Sequence, residues 1–235
     1  MVADCNSGQI LEFIIEKEQM REIKIVYEQR GSQIFKICQV YNPNHECLAI
    51  IFFEKNSRKF GVTKSRAKIK LIKRSNSEGK FSEIKGSTLA LPESSQYRRY
   101  SLFQLRSGKL ICTACGFKNL YAITIKEHGD TYKLSLRVLK ISFKDEAERV
   151  QYKRKEIEIS CCELSHHSQD GDLIYLAYKF NNKFNNKIVS ISQIDHQYSP
   201  GGKIILTEQN FKEVKYNIRE IFYCPSYNCI LLRDE

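Results

Sequence analysis

Short apolar runs separated by polar turns recur along the whole chain. The clearest runs lie at residues 23–27, 33–41, 47–53, 67–72, 109–115, 120–125, 132–141, 172–178, 187–194 and 203–206. They are rich in Ile, Val, Phe and Tyr and show little helical periodicity, so the pattern predicts strands. Two segments also fit a short helix: Ile10, Phe13 and Ile14 share a helical face, and residues 145–156 are mostly good helix formers. Neither changes the expectation of an all-β protein.

The strands recur as a larger unit. Four segments contain an apolar run, a polar turn and a second apolar run, and the second runs begin near Leu48, Leu110, Leu173 and Ile230. These positions are 62, 63 and 57 residues apart. After each of the first three hairpins another β-rich stretch follows, usually with a fourth behind it. A fixed period of this kind predicts a repeat architecture built from hairpins plus two strands.

This unit resembles a blade of the WD40-like β-propellers, in which four antiparallel strands form each blade. Strand order and turn position carry the resemblance over nearly the whole chain. The signature residues do not, because the chain has no Trp, no Gly-His pair opens a blade, and the spacing exceeds the usual period of about 40–45 residues. The resemblance implies one propeller-like domain with blades at 30–92, 93–145 and 146–212, and a fourth at 213–235 completed by residues 8–29.

The two ends of the chain suggest how such a ring would close. The last unit stops after its second strand, whereas the chain begins with two candidate strands, residues 9–16 and 22–28, that have no preceding hairpin. In closed propellers both termini commonly build the final blade, which removes exposed sheet edges. We therefore expect about four blades closed by the N-terminal strands. The alternatives are a half-propeller completed by a partner chain, a β-sandwich and a two-domain β protein.

Positive charge is concentrated in one segment, residues 55–74, which contains no Asp or Glu. Its nine cationic residues are Lys55, Arg58, Lys59, Lys64, Arg66, Lys68, Lys70, Lys73 and Arg74. The local charge of +9 compares with +11 for the whole chain. Lys68 and Lys70 alternate with apolar residues, which predicts that the apolar side chains point inward and that both lysines lie on the solvent-facing side of the strand. The segment predicts a site for nucleic acid or another polyanion; the alternative is a solvated strand whose lysines protect a sheet edge.

The cysteines offer nominal metal ligands. Cys112 and Cys115 have zinc-ligand spacing, and Cys161 and Cys162 with the His166–His167 pair could supply more. Residues three apart in a strand point to opposite faces, however, and the segment around Cys112 reads as continuous strand. Cysteine is also a frequently buried small apolar residue. We therefore predict core packing and no metal.

No catalytic site is recognisable. The chain has no Gly-x-Ser-x-Gly motif, and residues 200–203 form a turn without phosphate-loop spacing. His45, His128 and His196 lie in polar, turn-like surroundings, and Asp170 and Asp195 near histidines lack a nucleophile in a recognisable setting. We predict that the protein is not an enzyme and uses no cofactor.

Composition completes the expectation. With 42% hydrophobic residues the chain can bury a sizeable core, and no apolar window is long enough for a membrane span. Nine irregularly spaced cysteines, a start without signal-peptide character and no Asn-x-Ser/Thr sequon favour an intracellular protein of the cytoplasm or nucleus. Cys224 and Cys229 flank a four-residue turn, so a disulfide between them is conceivable in an oxidising compartment, but we do not expect one in an intracellular protein. The leading hypothesis is a non-enzymatic scaffold that binds protein partners, and the alternative is polyanion binding through residues 55–74.

Overall fold

The computed structural model describes most of the chain as β-strand. The described residues are 1–4, 7–16, 19–42, 45–54, 66–74, 79–92, 99–129, 131–143, 157–165, 172–180, 186–192, 203–206, 211–214, 218–227 and 229–233. Within these ranges the other regular element is a 3-10 turn at Pro225–Tyr227. Contacts divide the chain into two compact units, residues 1–94 with 125–135 and residues 95–124 with 136–235.

The first unit contains a three-stranded and a four-stranded antiparallel sheet. The three-stranded sheet has the order β1-β2-β3, with strands Val2–Asp4, Gln9–Glu16 and Gln19–Glu28. The four-stranded sheet has the order β4-β5-β6-β7, with strands Ser32–Val40, Cys47–Glu54, Lys68–Arg74 and Phe81–Ala90. Six consecutive residues of β5, from Cys47 to Phe52, are buried, because this interior strand is covered on both faces.

Gly8, in the turn between β1 and β2, is required by its surroundings. Its φ of 72° lies in the left-handed region, and a Cβ atom there would stand 2.6 Å from the carbonyl oxygens of both Gln29 and Ser32. The Gly8 carbonyl also accepts a hydrogen bond from the Gln29 N–H at 3.0 Å. Only glycine fits this conformation without displacing backbone.

Strand β7 departs from β6 for part of its length. Lys70 is paired with Thr88 and Ile72 with Glu83, so Leu71 faces an excursion of β7. The buried Ser87 hydroxyl accepts a hydrogen bond from the Leu71 N–H at 3.2 Å and lies 3.0 Å from the Leu71 carbonyl oxygen. The serine thus supplies the backbone partner that the excursion removes.

Three sheets lie in the second unit, except that residues 125–135 of the first of them belong to the first unit. The first has the order β8-β9-β10-β11-β15, with strands Tyr100–Gln104, Leu110–Ala114, Asn119–His128, Thr131–Phe143 and Lys203–Leu206. The second has the order β12-β13-β14-β16, with strands Ile157–Ser165, Leu173–Phe180, Asn186–Ser192 and Phe211–Val214. The third pairs β17, Glu220–Cys224, with β18, Cys229–Arg233. Strand β15 does not join the sheet of its sequence neighbours β14 and β16, but pairs with β11 in parallel.

Each unit has its own buried core. In the first unit, Ile10, Ile34, Leu48, Phe52 and Ile72 belong to one cluster that joins strands of both sheets. In the second unit, the larger cluster unites residues of β8 to β13. A smaller cluster holds Cys161, Ala177, Ile218 and Ile221, which anchor β17.

The prediction of an all-β fold is confirmed for the described residues. The helical alternative for Ile10, Phe13 and Ile14 is wrong, because β2 is hydrogen-bonded between β1 and β3 and belongs to a sheet. Residues 145–156, the second helical candidate, lie outside the described residues. The predicted hairpins are present as β4–β5, β8–β9, β12–β13 and β17–β18.

The arrangement of these sheets around one axis stays a prediction. No closed ring is detected in the described part of the chain. Strand β2 pairs with β1 on one side and with β3 on the other, and β17 pairs with β18 in a sheet of two strands. The blade boundaries and the single domain therefore also remain expectations from sequence.

Candidate functional site

The hairpin β2–β3 carries an open apolar surface. Leu11 is paired with Ile25 and Phe13 with Ile23, and because residues two apart in a strand share a face, the four side chains lie together. Ile23 is 54% exposed and Ile25 is 49% exposed, while Leu11 and Phe13 are half-buried. We call these four residues the β2–β3 apolar patch.

The opposite face of this hairpin carries the core residue Ile10 together with charged residues. Glu12 accepts a hydrogen bond from the Arg74 guanidinium of β6, and Lys24 forms an ion pair with Glu22 at 3.2 Å. Arg74 also contacts Glu46 at 2.9 Å and lies 5.0 Å from the ring centre of Phe81. The face with Glu12 is therefore the one directed toward β6, and the β2–β3 apolar patch is on the other side of the hairpin.

A groove of about 450 Å³ lies between β3 and β7. Residues 25–28 form one wall, and residues 80–83, where β7 begins, form the other. Each of these two strands is the last strand of its sheet in the described part of the chain. The groove adjoins the apolar patch, because Ile25 belongs to both.

A buried lysine stands behind this groove. The side chain of Lys70 is 7% exposed, its Nζ donates to Oε1 of Glu83 at 2.6 Å, and it lies 4.6 Å from the ring centre of Phe52. The Tyr27 hydroxyl donates to the same carboxylate oxygen at 3.1 Å. The hydrogen bond from Lys70 lowers the pKa of Glu83 despite the opposing effect of its partial burial. Burial, reinforced by the nearby Glu83 charge, raises the pKa of Tyr27.

This network holds its groups in fixed charge states at neutral pH. Glu83 is a carboxylate and Tyr27 a neutral phenol, so each hydrogen bond has a proton donor and an acceptor. Neither group is placed as a nucleophile beside a base. The hydrogen bonds of Glu83 instead connect β7 to both β3 and β6 and stabilise their packing.

The structure describes only part of the basic segment. Four of its cations lie outside the described residues: Lys55, Arg58, Lys59 and Lys64. Of the remaining five, Arg66 is exposed and Lys73 is half-buried. Lys68 forms an ion pair with Glu54 at 2.8 Å. With Lys70 and Arg74 paired as described above, three of the five cations already have carboxylate partners.

The expectation that Lys68 and Lys70 both face solvent is wrong for Lys70. Strand β6 lies between β5 and β7, and the residue is only 5% exposed. Polyanion binding by the nine cations is still an untested prediction.

The cysteines that were candidate zinc ligands lie mostly in the core. Every residue of β9 is buried, and burial raises the pKa of its Cys112 thiol to about 12. Cys115 follows the strand and is half-buried, while burial also raises the pKa of Cys161 and of Cys162. The described residues contain no cluster of three or more ligand-type side chains.

Of the histidine candidates, the structure describes His45 and His128. The N–H of His45 donates to the Asn42 side-chain oxygen at 3.2 Å, and His128 is exposed at the end of β10. The other three histidines, at 166, 167 and 196, lie outside the described residues, as do Asp170, Asp195 and residues 200–202.

Sequence reasoning missed the apolar patch as a site. The alternation Ile23-Lys24-Ile25 was visible, but it is equally typical of a strand that buries its isoleucines.

Comparison with known proteins finds no match for this chain among family models, curated proteins or solved structures. Within the described ranges, none of the elements is a helix with the length and apolar character to cross a membrane.

Proposed function

We propose that this chain is a non-catalytic module that binds protein partners inside the cell. The β2–β3 apolar patch supports the proposal. Single exposed apolar residues are ordinary, whereas a contiguous group on one rigid sheet face is typical of an interaction surface. Two exposed isoleucines beside two half-buried side chains offer apolar surface area that a partner could remove from water.

The surroundings of the patch fit a protein better than a small ligand. The exposed end of β3 adds Met20, which is 60% exposed, and the groove beside Ile25 carries charged Glu28 and Lys80 at its rim. An apolar centre with a polar rim is the usual anatomy of a protein interface. The propeller arrangement, if formed, would add loops on two faces as further binding surface.

The test is quantitative affinity purification of the tagged full-length chain from its native cells. The variant Ile23→Asp/Ile25→Asp should lose the enriched proteins, by roughly 30-fold or more if the patch is a binding hot spot worth about 2 kcal/mol. The matched control is Phe222→Asp/Leu231→Asp, a second exposed cross-strand apolar pair. Equal recovery with wild type and the patch variant, with both variants folded by circular dichroism, would overturn the proposal.

The finer fold assignment is part of the same proposal. We propose that the four hairpins belong to blades around one axis, with residues 8–29 completing residues 213–235. An experimental structure should then relate Leu48, Leu110, Leu173 and Ile230 by rotation about that axis. A sandwich, or two separate β domains without such an axis, would refute it.

Polyanion binding is the second candidate. The local charge of +9 between residues 55 and 74 favours it. The carboxylate partners of Lys68, Lys70 and Arg74 weigh against those three residues as phosphate contacts, so Arg66 and the cations before it would carry the binding.

A further inference from the structure

The final hairpin brings two cysteines directly opposite each other. Cys224 ends β17, Cys229 begins β18, and the two are cross-strand partners. Directly opposed residues in antiparallel strands have Cα atoms about 4.5–5.5 Å apart. A disulfide requires about 4.4–6.8 Å between the same atoms. The backbone of the hairpin therefore meets the distance requirement without rearrangement.

The hairpin has one anchored and one outer face. Ile221 is buried against Cys161 and Ala177, and Tyr223 stacks on Tyr175 with ring centres 6.2 Å apart. The other face alternates with this one and holds the cysteine pair.

On the outer face, each cross-strand pair is open to solvent to some degree. Phe222 and Leu231 are 48% and 56% exposed, and Glu220 and Arg233 form an ion pair at 3.2 Å. The two cysteines are half-buried, so a small reagent can reach them.

The other described cysteines differ from this pair. Cys47, Cys112, Cys161 and Cys162 are buried, and burial raises the pKa of each thiol, which keeps them protonated and unreactive. Cys38 and Cys115 are half-buried. Cys38 faces Ala49 across β4–β5 and so has no thiol opposite it.

We propose that Cys224 and Cys229 form a reversible disulfide by exchange with a small disulfide of the glutathione type. One thiolate attacks a sulfur of the oxidant, forming a mixed disulfide and releasing one reduced thiol. The second cysteine then attacks its partner's sulfur and releases the second reduced thiol. Two S–H bonds are replaced by one S–S bond, and the two electrons and two protons pass to the oxidant.

This site is independent of the proposed partner binding at β2–β3. Oxidation would fix the separation of β17 and β18 beside the exposed Phe222–Leu231 pair. It requires a thiol pair in register that a small reagent can reach, and no partner protein.

The full-length protein provides a direct readout. Trypsin cleavage at Arg219 and Arg233 releases residues 220–233, which contain these two cysteines, no other cysteine and no internal Lys or Arg. The folded protein is equilibrated with oxidised and reduced glutathione, trapped with N-ethylmaleimide, digested and analysed by mass spectrometry. The peptide should carry no maleimide label on either cysteine. Its mass should be that of the reduced, unlabelled peptide minus two hydrogen atoms. Recovery with two maleimide labels, or with two glutathione adducts, would overturn the proposal.

Two controls separate the native register from simple proximity in sequence. The variant Cys224→Ser should leave Cys229 labelled or carrying one glutathione, whereas Cys38→Ser should not alter the result. The equilibrium constant for forming the disulfide should be at least tenfold larger in the folded protein than in urea. Equal constants in the two states would show that the hairpin does not preorganise the pair, which also overturns the proposal.

Discussion

Replacing Glu83 by glutamine should destabilise the fold through Lys70. The substitution preserves the shape of the side chain and removes the negative charge that accepts hydrogen bonds from the Lys70 ammonium and the Tyr27 hydroxyl. Lys70 cannot turn to water without leaving its position over Phe52, because its side chain is only 7% exposed. The ammonium would therefore remain desolvated, with a neutral partner.

The size of the effect follows from the exposure of the two partners. A hydrogen bond involving a charged group contributes about 1.5–3 kcal/mol to folding. Glu83 itself is 58% exposed, so solvent screening reduces the loss, and we expect about 1–2 kcal/mol. Lys70→Met removes the buried charge but keeps an apolar stem, and should change stability by about 1 kcal/mol or less in either direction.

Urea unfolding followed by circular dichroism measures these differences, since the chain has no Trp. In the Lys70→Met background, Glu83→Gln should have almost no effect, which gives a coupling free energy of about 1–2 kcal/mol. An equal cost of Glu83→Gln in both backgrounds would refute the reasoning, as would no cost in either.

The same pair predicts a dependence on pH. The pKa of Glu83 is lowered from its ordinary value of 4.5 in the folded state, so its contribution is complete above that value and is lost as the pH falls through the lower, folded-state pKa. The stability difference between wild type and Glu83→Gln should therefore shrink in acid. A difference that grows in acid would contradict the assigned ion pair.

Three further predictions concern the turn, the β7 excursion and the basic segment. Gly8→Ala should lose about 2–4 kcal/mol, because its Cβ would stand 2.6 Å from two carbonyl oxygens; Gly31→Ala, with the same φ but open space, should lose less in the same urea titration. Ser87→Ala should cost about 1–3 kcal/mol in thermal or urea unfolding, since it leaves a buried backbone N–H of β6 without its acceptor. If the basic segment binds nucleic acid, Lys64→Gln/Arg66→Gln should weaken binding and flatten the slope of log K against log salt by about 1–2; absence of wild-type binding at about 50 mM salt would refute that alternative.

Sequence patterns located most strands, because alternating or continuous apolar runs are a local property. The sequence pattern did not predict strand β7, because its buried residues do not alternate with a period of two. Phe81, Ile84 and Ser87 are buried at every third position, since the excursion around Gly86, with a φ of 74°, breaks the period of two. Strand β16 was also missed, and at four residues it offers little pattern.

The properties of the candidate sites depend on neighbours that local patterns do not specify. Lys68 and Lys70 look equivalent in sequence, yet β7 and Glu83 enclose only the second. Ile23 and Ile25 alternate just as buried isoleucines do, and the open face is decided by where the rest of the first unit packs. The opposition of Cys224 and Cys229, by contrast, was foreseeable, because a short turn sets the register of the strands it joins.

Strand β15 has a consequence for how the protein is made. Its Lys203 pairs with Lys140 of β11, 63 residues earlier, and the strands in between belong to another sheet. At a synthesis rate of about 5–20 residues per second, β11 leaves the ribosome about 3–13 seconds before the strand that covers its edge. During that interval the edge is open to pairing with a neighbouring nascent chain on the same messenger. The β11 edge is therefore open to aggregation on crowded polysomes until β15 has been synthesised, and a chaperone that covers this edge at the ribosome would lower that risk.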